Sequence, residues 1–225
     1  MTEATTGTPP PPVPRGDRTG GARGLQSRRS FVLCAAGVGI GLALDGCSSS
    51  PPPPPSPYSG DLRTVALAAA LENQAVSAYQ ALDAALRAGK LGPAFPALAA
   101  YLRTATDHHT RHAATWNAIL RAAHKPAVTT AALSDHAKLM DTIHAASRVE
   151  QAVSAVQGLE NQAAQTYTAA AGSLAGVSPA LVAASTIAPV EAMHAAALGC
   201  LLNGQSAVTS FLGTAQAVPA TRLTV

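Results

Sequence analysis

Cysteine is scarce in this chain, with three among 225 residues. Cys34 sits inside an apolar run near the N-terminus, Cys47 just beyond that run, and Cys200 alone in an alanine- and leucine-rich segment. No intrachain disulfide is then available to a mature protein, and Cys200 reads as a small core residue rather than a nucleophile. Charge is scarce too, at 12% Asp, Glu, Lys and Arg. The net charge of +3 is spread thinly: five arginines face three acids in residues 1–46, and ten Lys or Arg face nine Asp or Glu in the remainder. No polycationic face follows from that balance, which excludes nucleic acid as a partner. The apolar run Phe31 to Leu44 is too short and too rich in glycine to span a bilayer as a permanent helix. No alternating strand pattern is present either. What is abundant is alanine, the strongest helix former, in a chain long enough for one domain with a core plus appendages.

The first 60 residues read as an address. A Pro- and Gly-rich leader ends in SRRSFVL, Ser27 to Leu33, where paired Arg28 and Arg29 precede Phe31 and the apolar run. This resembles a twin-arginine export signal. LALDGC, Leu42 to Cys47, is similar to a bacterial lipobox, in which Cys47 would carry lipid and become the mature N-terminus. Asp45 departs from the small neutral residue usual there. SSSPPPPPSPYSG follows, a semi-rigid extended spacer by its prolines. The expected organisation is a signal peptide over residues 1–46, a tether over 47–60, a helical bundle over 61–204 and a tail over 205–225. The expected location is the outer face of the bacterial cytoplasmic membrane, with the membrane as partner through the lipid.

From Asp61 onward, breakers divide the chain into four long helical segments. The first is expected over Asp61 to Ala88, stopped by Gly89 and Gly92. The second runs from Pro96 to before Pro126. The third covers about Asp141 to Ala171, and Ser134 with Asp135 offers an earlier start. The fourth opens at Ser178 and Pro179 and runs to Asn203. Short links make the first and last pairs antiparallel hairpins, and the long middle link crosses the bundle. The expected fold is therefore all-α, two hairpins joined by a long crossover.

One phrase occurs twice: LENQAVSAY at Leu71 to Tyr79, and LENQAAQTY at Leu159 to Tyr167. Steps of seven residues give Val65, Glu72, Tyr79, Leu86 on one helix and Val153, Glu160, Tyr167, Leu174 on the other. Seven residues are nearly two turns, so each series forms one stripe whose apolar members mark it as core-facing. Both glutamates therefore enter the interior, where an uncompensated carboxylate is costly. Protonation is one remedy and a cation another. Partners for a cation lie on the other two helices: Glu191 and His194 on the stripe Ile187, Glu191, His194, Leu198, Leu201, and His109 and His112 on the stripe Leu102, Ala105, His109, His112, Trp116, Ile119. A three-residue step puts each pair on one face.

With these residues in place, the sequence resembles the ferritin-like superfamily of di-iron carboxylate bundles, which set one Glu on each of two helices and an E-x-x-H pair on each of the others. The resemblance covers about Asp61 to Asn203. It implies internal duplication, a metal site made of Glu72, His109, His112, Glu160, Glu191 and His194, and Tyr79 and Tyr167 beside it. His109 stands where the family carries Glu, so three carboxylates rather than four face two divalent ions. Iron is the expected metal, and the same donors accept zinc or manganese. The implied function is a membrane-tethered protein with a dinuclear centre that oxidises ferrous iron or reduces peroxide, with dimerisation compatible. The opposing reading is a non-enzymatic envelope lipoprotein with a degenerate metal site, acting as a structural or interaction module. Tyr79 and Tyr167 also read as plain core aromatics, His108 falls outside the expected site, and His124, His136 and His144 are expected at the surface.

Overall fold

The computed structural model describes residues 55–93, 96–203 and 212–225. Arg28, Arg29 and Cys47 lie outside the described residues. Five α-helices appear in order: α1 (Asp61–Arg87), α2 (Pro96–Ala122), α3 (His136–Ala145), α4 (Val149–Ser173) and α5 (Ser178–Asn203), followed by one short 3-10 turn at Ala220–Arg222. Among the described residues there is no β-strand, only an isolated bridge between Leu133 and Leu223.

Breakers end the helices where the sequence places them. At the end of α1 the backbone N–H of Lys90 bonds the carbonyl of Ala85 at 3.1 Å, and Gly89 takes φ 69°. That left-handed turn is one glycine adopts without penalty, and it satisfies carbonyls the helix leaves open. The same closure ends α2, where Lys125 N–H bonds the carbonyl of Leu120 at 2.9 Å. There the left-handed position, φ 54°, is held by His124.

The expected third segment is in fact two helices. Ala146 is extended, with ψ 134°, and α4 restarts after it. The side-chain oxygen of Gln151 accepts from the N–H groups of Ser147 and Arg148 at 3.0 and 3.2 Å, and so caps α4 at its new start. Continuous helix propensity across 141–148 hides this break, because the cap that wins is a side chain reaching back from inside α4.

α1 and α2 form one antiparallel hairpin, and α4 and α5 the other. Across the hairpins α1 runs antiparallel to α4: Tyr167 meets the carbonyl of Ala68, and Gly176 N–H donates to Asp61 Oδ2 at 2.9 Å. α3 lies within the crossover and packs on α1 and α4. Asparagines fasten that crossover. Asn117 donates to the carbonyl of Val128 at 2.9 Å and accepts its N–H at 2.7 Å, while Asn73 donates to the same carbonyl at 2.9 Å. The C-terminal residues return along the crossover, with Ser134 N–H donating to the carbonyl of Arg222 and Thr224 N–H to that of Ala132, each at 3.0 Å. Two residues of the expected tether also join the domain: Tyr58 is buried, and Ser56 Oγ donates to the carbonyl of Val225 at 2.9 Å.

The core falls into two apolar clusters. One gathers Val65 to Leu71, Trp116, Ile119, Tyr167 and Ile187; the other gathers Tyr79, Leu82, Leu86, Leu98, Leu102, Val153, Val156 and Leu198. In every long helix the glutamates and histidines named above lie between the two clusters. The apolar core is thus interrupted at mid-height by one polar layer, and burial on both sides keeps water from it.

Candidate metal centre

Each long helix delivers one part of the polar layer: Glu72 from α1, His109 and His112 from α2, Glu160 from α4, and Glu191 with His194 from α5. All eight members of the two seven-residue stripes are buried, from Val65 through Leu86 and from Val153 through Leu174. Glu72, Glu160 and Glu191 are 1%, 0% and 0% exposed. The α5 stripe holds up to Leu198 and then fails, since Leu201 is exposed. Cys200, expected in the core, is exposed as well. Both departures have one cause: α5 is apolar around its whole circumference, so hydrophobicity alone does not mark its inner face.

Two overlapping groups of ligand atoms result. Glu72, His109, His112 and Glu191 each offer an atom within 4.8 Å of the others, and so do His109, Glu160, Glu191 and His194. Glu191 links the groups with its two oxygens. Its Oε1 lies 2.8 Å from His112 Nδ1, and its Oε2 lies 3.2 Å from His194 Nδ1. His109 stands between the two remaining acids, with Nδ1 2.8 Å from Glu72 Oε2 and Nε2 3.0 Å from Glu160 Oε1. A neutral imidazole has one N–H, so this pair of contacts requires one further proton, on the ring or on a carboxyl group.

The electrostatics follow from burial set against neighbours. Burial pushes Glu72 and Glu160 upward, but His109 with His112 for the first, and His109 with His194 for the second, outweigh it and hold both below the usual carboxylate range. Glu191 goes the other way, to about 7, because burial and the charges on Glu72 and Glu160 both favour its neutral form. Burial lowers each histidine, yet the acids prevail. Glu160 and Glu191 raise His109 well above its ordinary value, close contacts with the Glu191 and Glu72 carboxylates bring His112 to about 9, and contacts with Glu160 and Glu191 raise His194.

The donor set fits a cation. Three atoms in the layer, His112 Nδ1, Glu160 Oε2 and Glu191 Oε1, are buried and make no hydrogen bond to any group. Buried polar atoms are rarely left so, and each such loss costs about 1–3 kcal/mol. Three orphans from three helices, gathered in one layer, are what a bound positive ion would satisfy. His109 fits that description less well, because both of its nitrogens are already engaged by carboxylates.

The neighbours of the layer divide into those that touch it through polar atoms and those that pack on it. Tyr167 donates its hydroxyl to Glu72 Oε1 at 2.6 Å, and its ring packs against Trp116 at 5.5 Å. Tyr79 lays its ring 5.2 Å from that of His109, and its hydroxyl meets the Tyr101 hydroxyl at 3.1 Å. Asp107, the acid nearest in sequence, faces away and pairs with Arg111 at 2.8 Å. Two participants escaped the sequence reading. His108 Nδ1 lies 3.1 Å from His194 Nε2, and Tyr101 donates to the backbone carbonyl of His194 at 3.1 Å. Neither belongs to a repeated phrase or a core stripe, and His108 reaches the layer from the half-exposed flank of α2. Of the crossover histidines, His124 and His144 are exposed and His136 is half-buried.

A family model described as a ferritin-like domain matches residues 84–204, more than half of the chain. The match takes in His109, His112, Glu160, Glu191 and His194 and starts after Glu72, which the fold brings to the same layer. No curated protein and no solved structure matches the chain. With an all-helical bundle, a buried Glu and His layer that could hold a metal ion, and this match, the chain belongs to the ferritin-like domain family.

Proposed function

We propose that this chain is an exported, membrane-tethered ferritin-like protein whose core holds a dinuclear metal centre, iron foremost, that oxidises ferrous iron or reduces peroxide. One observation carries the reading: His112 Nδ1, Glu160 Oε2 and Glu191 Oε1 are buried without partners inside two ligand groups that share Glu191. Glu72, His112 and one oxygen of Glu191 would hold one ion; Glu160, His194 and the other oxygen of Glu191 would hold the second. Bound iron would supply one-electron redox chemistry with dioxygen or peroxide. The chain's own residues do the rest. The apolar clusters above and below the layer exclude bulk water. Tyr167 fixes one oxygen of Glu72, which leaves the other to face the histidines. Three carboxylates against two divalent ions leave about one positive charge, which hydroxide or an incoming anion offsets.

The export and tether reading rests on SRRSFVL and on LALDGC with Cys47. The proline-rich stretch after Cys47 would hold the domain off the membrane. Zinc or manganese would suit the same donors with less redox use.

A second reading has its own support. His109, bonded to Glu72 and Glu160 together, supplies internally the positive charge that a metal would bring. On this reading the layer is a hydrogen-bonded structural brace in an envelope lipoprotein. Metal analysis of the purified domain after reconstitution with ferrous iron separates the two. About two equivalents per chain, lost in Glu72→Gln with Glu160→Gln, supports the centre, and none supports the brace. A Cys47→Ala chain found in the soluble fraction rather than the membrane fraction would support the tether.

A further inference from the structure

His194 is held on every side. Nδ1 faces Glu191 Oε2 at 3.2 Å and Glu160 Oε2 at 3.7 Å, and Nε2 lies 3.1 Å from His108 Nδ1. The two imidazole planes are 19° apart with centroids at 5.3 Å, so the nitrogens meet nearly in the ring planes, as a hydrogen bond between imidazoles requires. Tyr101 sets its ring edge-on to His194, at 85° and 6.1 Å, and bonds the residue's backbone carbonyl. His108 is half-buried, while His194 is 5% exposed. The pair therefore runs from the flank of α2 to the centre.

Without a metal, the geometry sets the tautomer. With both rings neutral, carboxylate oxygens at 3.2 and 3.7 Å from Nδ1 favour the proton there, so Nε2 accepts from His108 Nδ1–H. A metal on Nδ1 needs the opposite arrangement, with Nδ1 bare and the proton on Nε2, which must then donate to His108. A carboxylate at position 108 could serve only the second state, because it cannot donate. An imidazole serves both, since its Nδ1 donates in one tautomer and accepts in the other.

We propose that His108 is a positioning residue for His194, an imidazole partner that lets His194 exchange tautomers as a metal enters without losing its outer hydrogen bond. The inference rests on the proposed metal centre and adds to it a residue outside the family's ligand pattern. The protons balance. As the ion arrives, His194 Nδ1 gives its proton to water, His108 Nδ1 passes its proton to His194 Nε2, and His108 takes one from water at Nε2. The pair holds two protons before and after, so its charge does not change.

The test uses the exported domain as wild type, His108→Ala and His108→Asn, each titrated with zinc. His108 is half-exposed on a helix flank, so neither variant is expected to unfold; a carboxamide, which both donates and accepts, can replace the imidazole in either state. Wild type should take up two zinc ions. His108→Ala should lose about 10–100-fold in affinity at one of the two steps and leave the other unchanged, and His108→Asn should recover most of the loss. In wild type, at a pH where both rings are neutral, nitrogen NMR of labelled histidine should place the His194 proton on Nδ1 before zinc and on Nε2 after it. Two unchanged affinities in His108→Ala, or a His194 proton on the same nitrogen in both states, overturn the inference while the centre stands. A wild type that binds no zinc, iron or manganese overturns both.

Discussion

His112 Nδ1 and Glu191 Oε1 lie 2.8 Å apart in the core, yet they form no hydrogen bond. Distance is satisfied and direction is not, so each atom faces past the other. Both residues belong to one group whose ligand atoms lie within 4.8 Å of one another, a spacing that suits a shared cation. Removing them should therefore have unequal effects. Glu191→Gln, which alters the residue common to both groups, should abolish uptake of both ions. His112→Ala should reduce uptake from two to about one. Metal analysis after reconstitution checks both; equal loss in the two variants would count against Glu191 as the shared ligand.

Tyr167 donates to Glu72 Oε1 at 2.6 Å with both groups buried. A hydrogen bond to a charged group is worth about 1.5–3 kcal/mol. Tyr167→Phe should thus lower the stability of the metal-free domain by that amount in urea unfolding. Tyr79→Phe removes the contact between its hydroxyl and that of Tyr101 and should cost about 0.5–1.5 kcal/mol.

His109→Glu would complete the second E-x-x-H pair on α2. Four buried carboxylates would then crowd a layer whose internal cation has been removed, which is unfavourable without metal. The variant should melt at a lower temperature than wild type in chelator and gain more on loading, measured by thermal unfolding with and without ferrous iron under anaerobic conditions.

The metal-free domain should lose stability as pH rises from about 5 to 9. Glu191, at about 7, is raised above its ordinary range, so its contribution fades as pH climbs toward 7. His112, at about 9, is likewise raised, and its contribution is lost between its unfolded value and about 9; His109 and His194 shift the same way. Glu72 and Glu160 are lowered, so what they add is present above their ordinary range and is lost only as pH falls below it. Metal binding requires deprotonated ligands and strengthens with pH. The melting temperature in chelator should therefore decline over this range, and saturating metal should flatten or reverse the decline.

Asn117 makes both hydrogen bonds of its carboxamide to the backbone of Val128 in a buried setting. Asn117→Ala leaves a buried N–H without its partner and should cost about 2 kcal/mol. Hydrogen exchange should rise first across the crossover, before the long helices respond.

Much of this molecule is written into local sequence. Heptad steps from Glu72 and Glu160 placed both acids inside, because a helix of fixed pitch converts spacing into direction whatever packs around it. Gly89 ended α1 for a reason equally local, since glycine takes the left-handed turn at no cost. The split between α3 and α4 was not legible, because Gln151 decides it by reaching back over the chain to its own helix start. The inner face of α5 was also hidden, as hydrophobicity without polarity has no direction. The role of the C-terminal residues came only with their return to the crossover, a contact between segments far apart in the chain.

What the sequence determined, then, was which residue types would share a helix face and at what height. Only tertiary packing decided how they meet: that Glu191 would turn an oxygen to each neighbouring histidine, that His109 would stand between two acids rather than replace one, and that His108 would reach His194. Helical pitch fixes direction along one rod, whereas distance between rods is set by the side chains of all four at once.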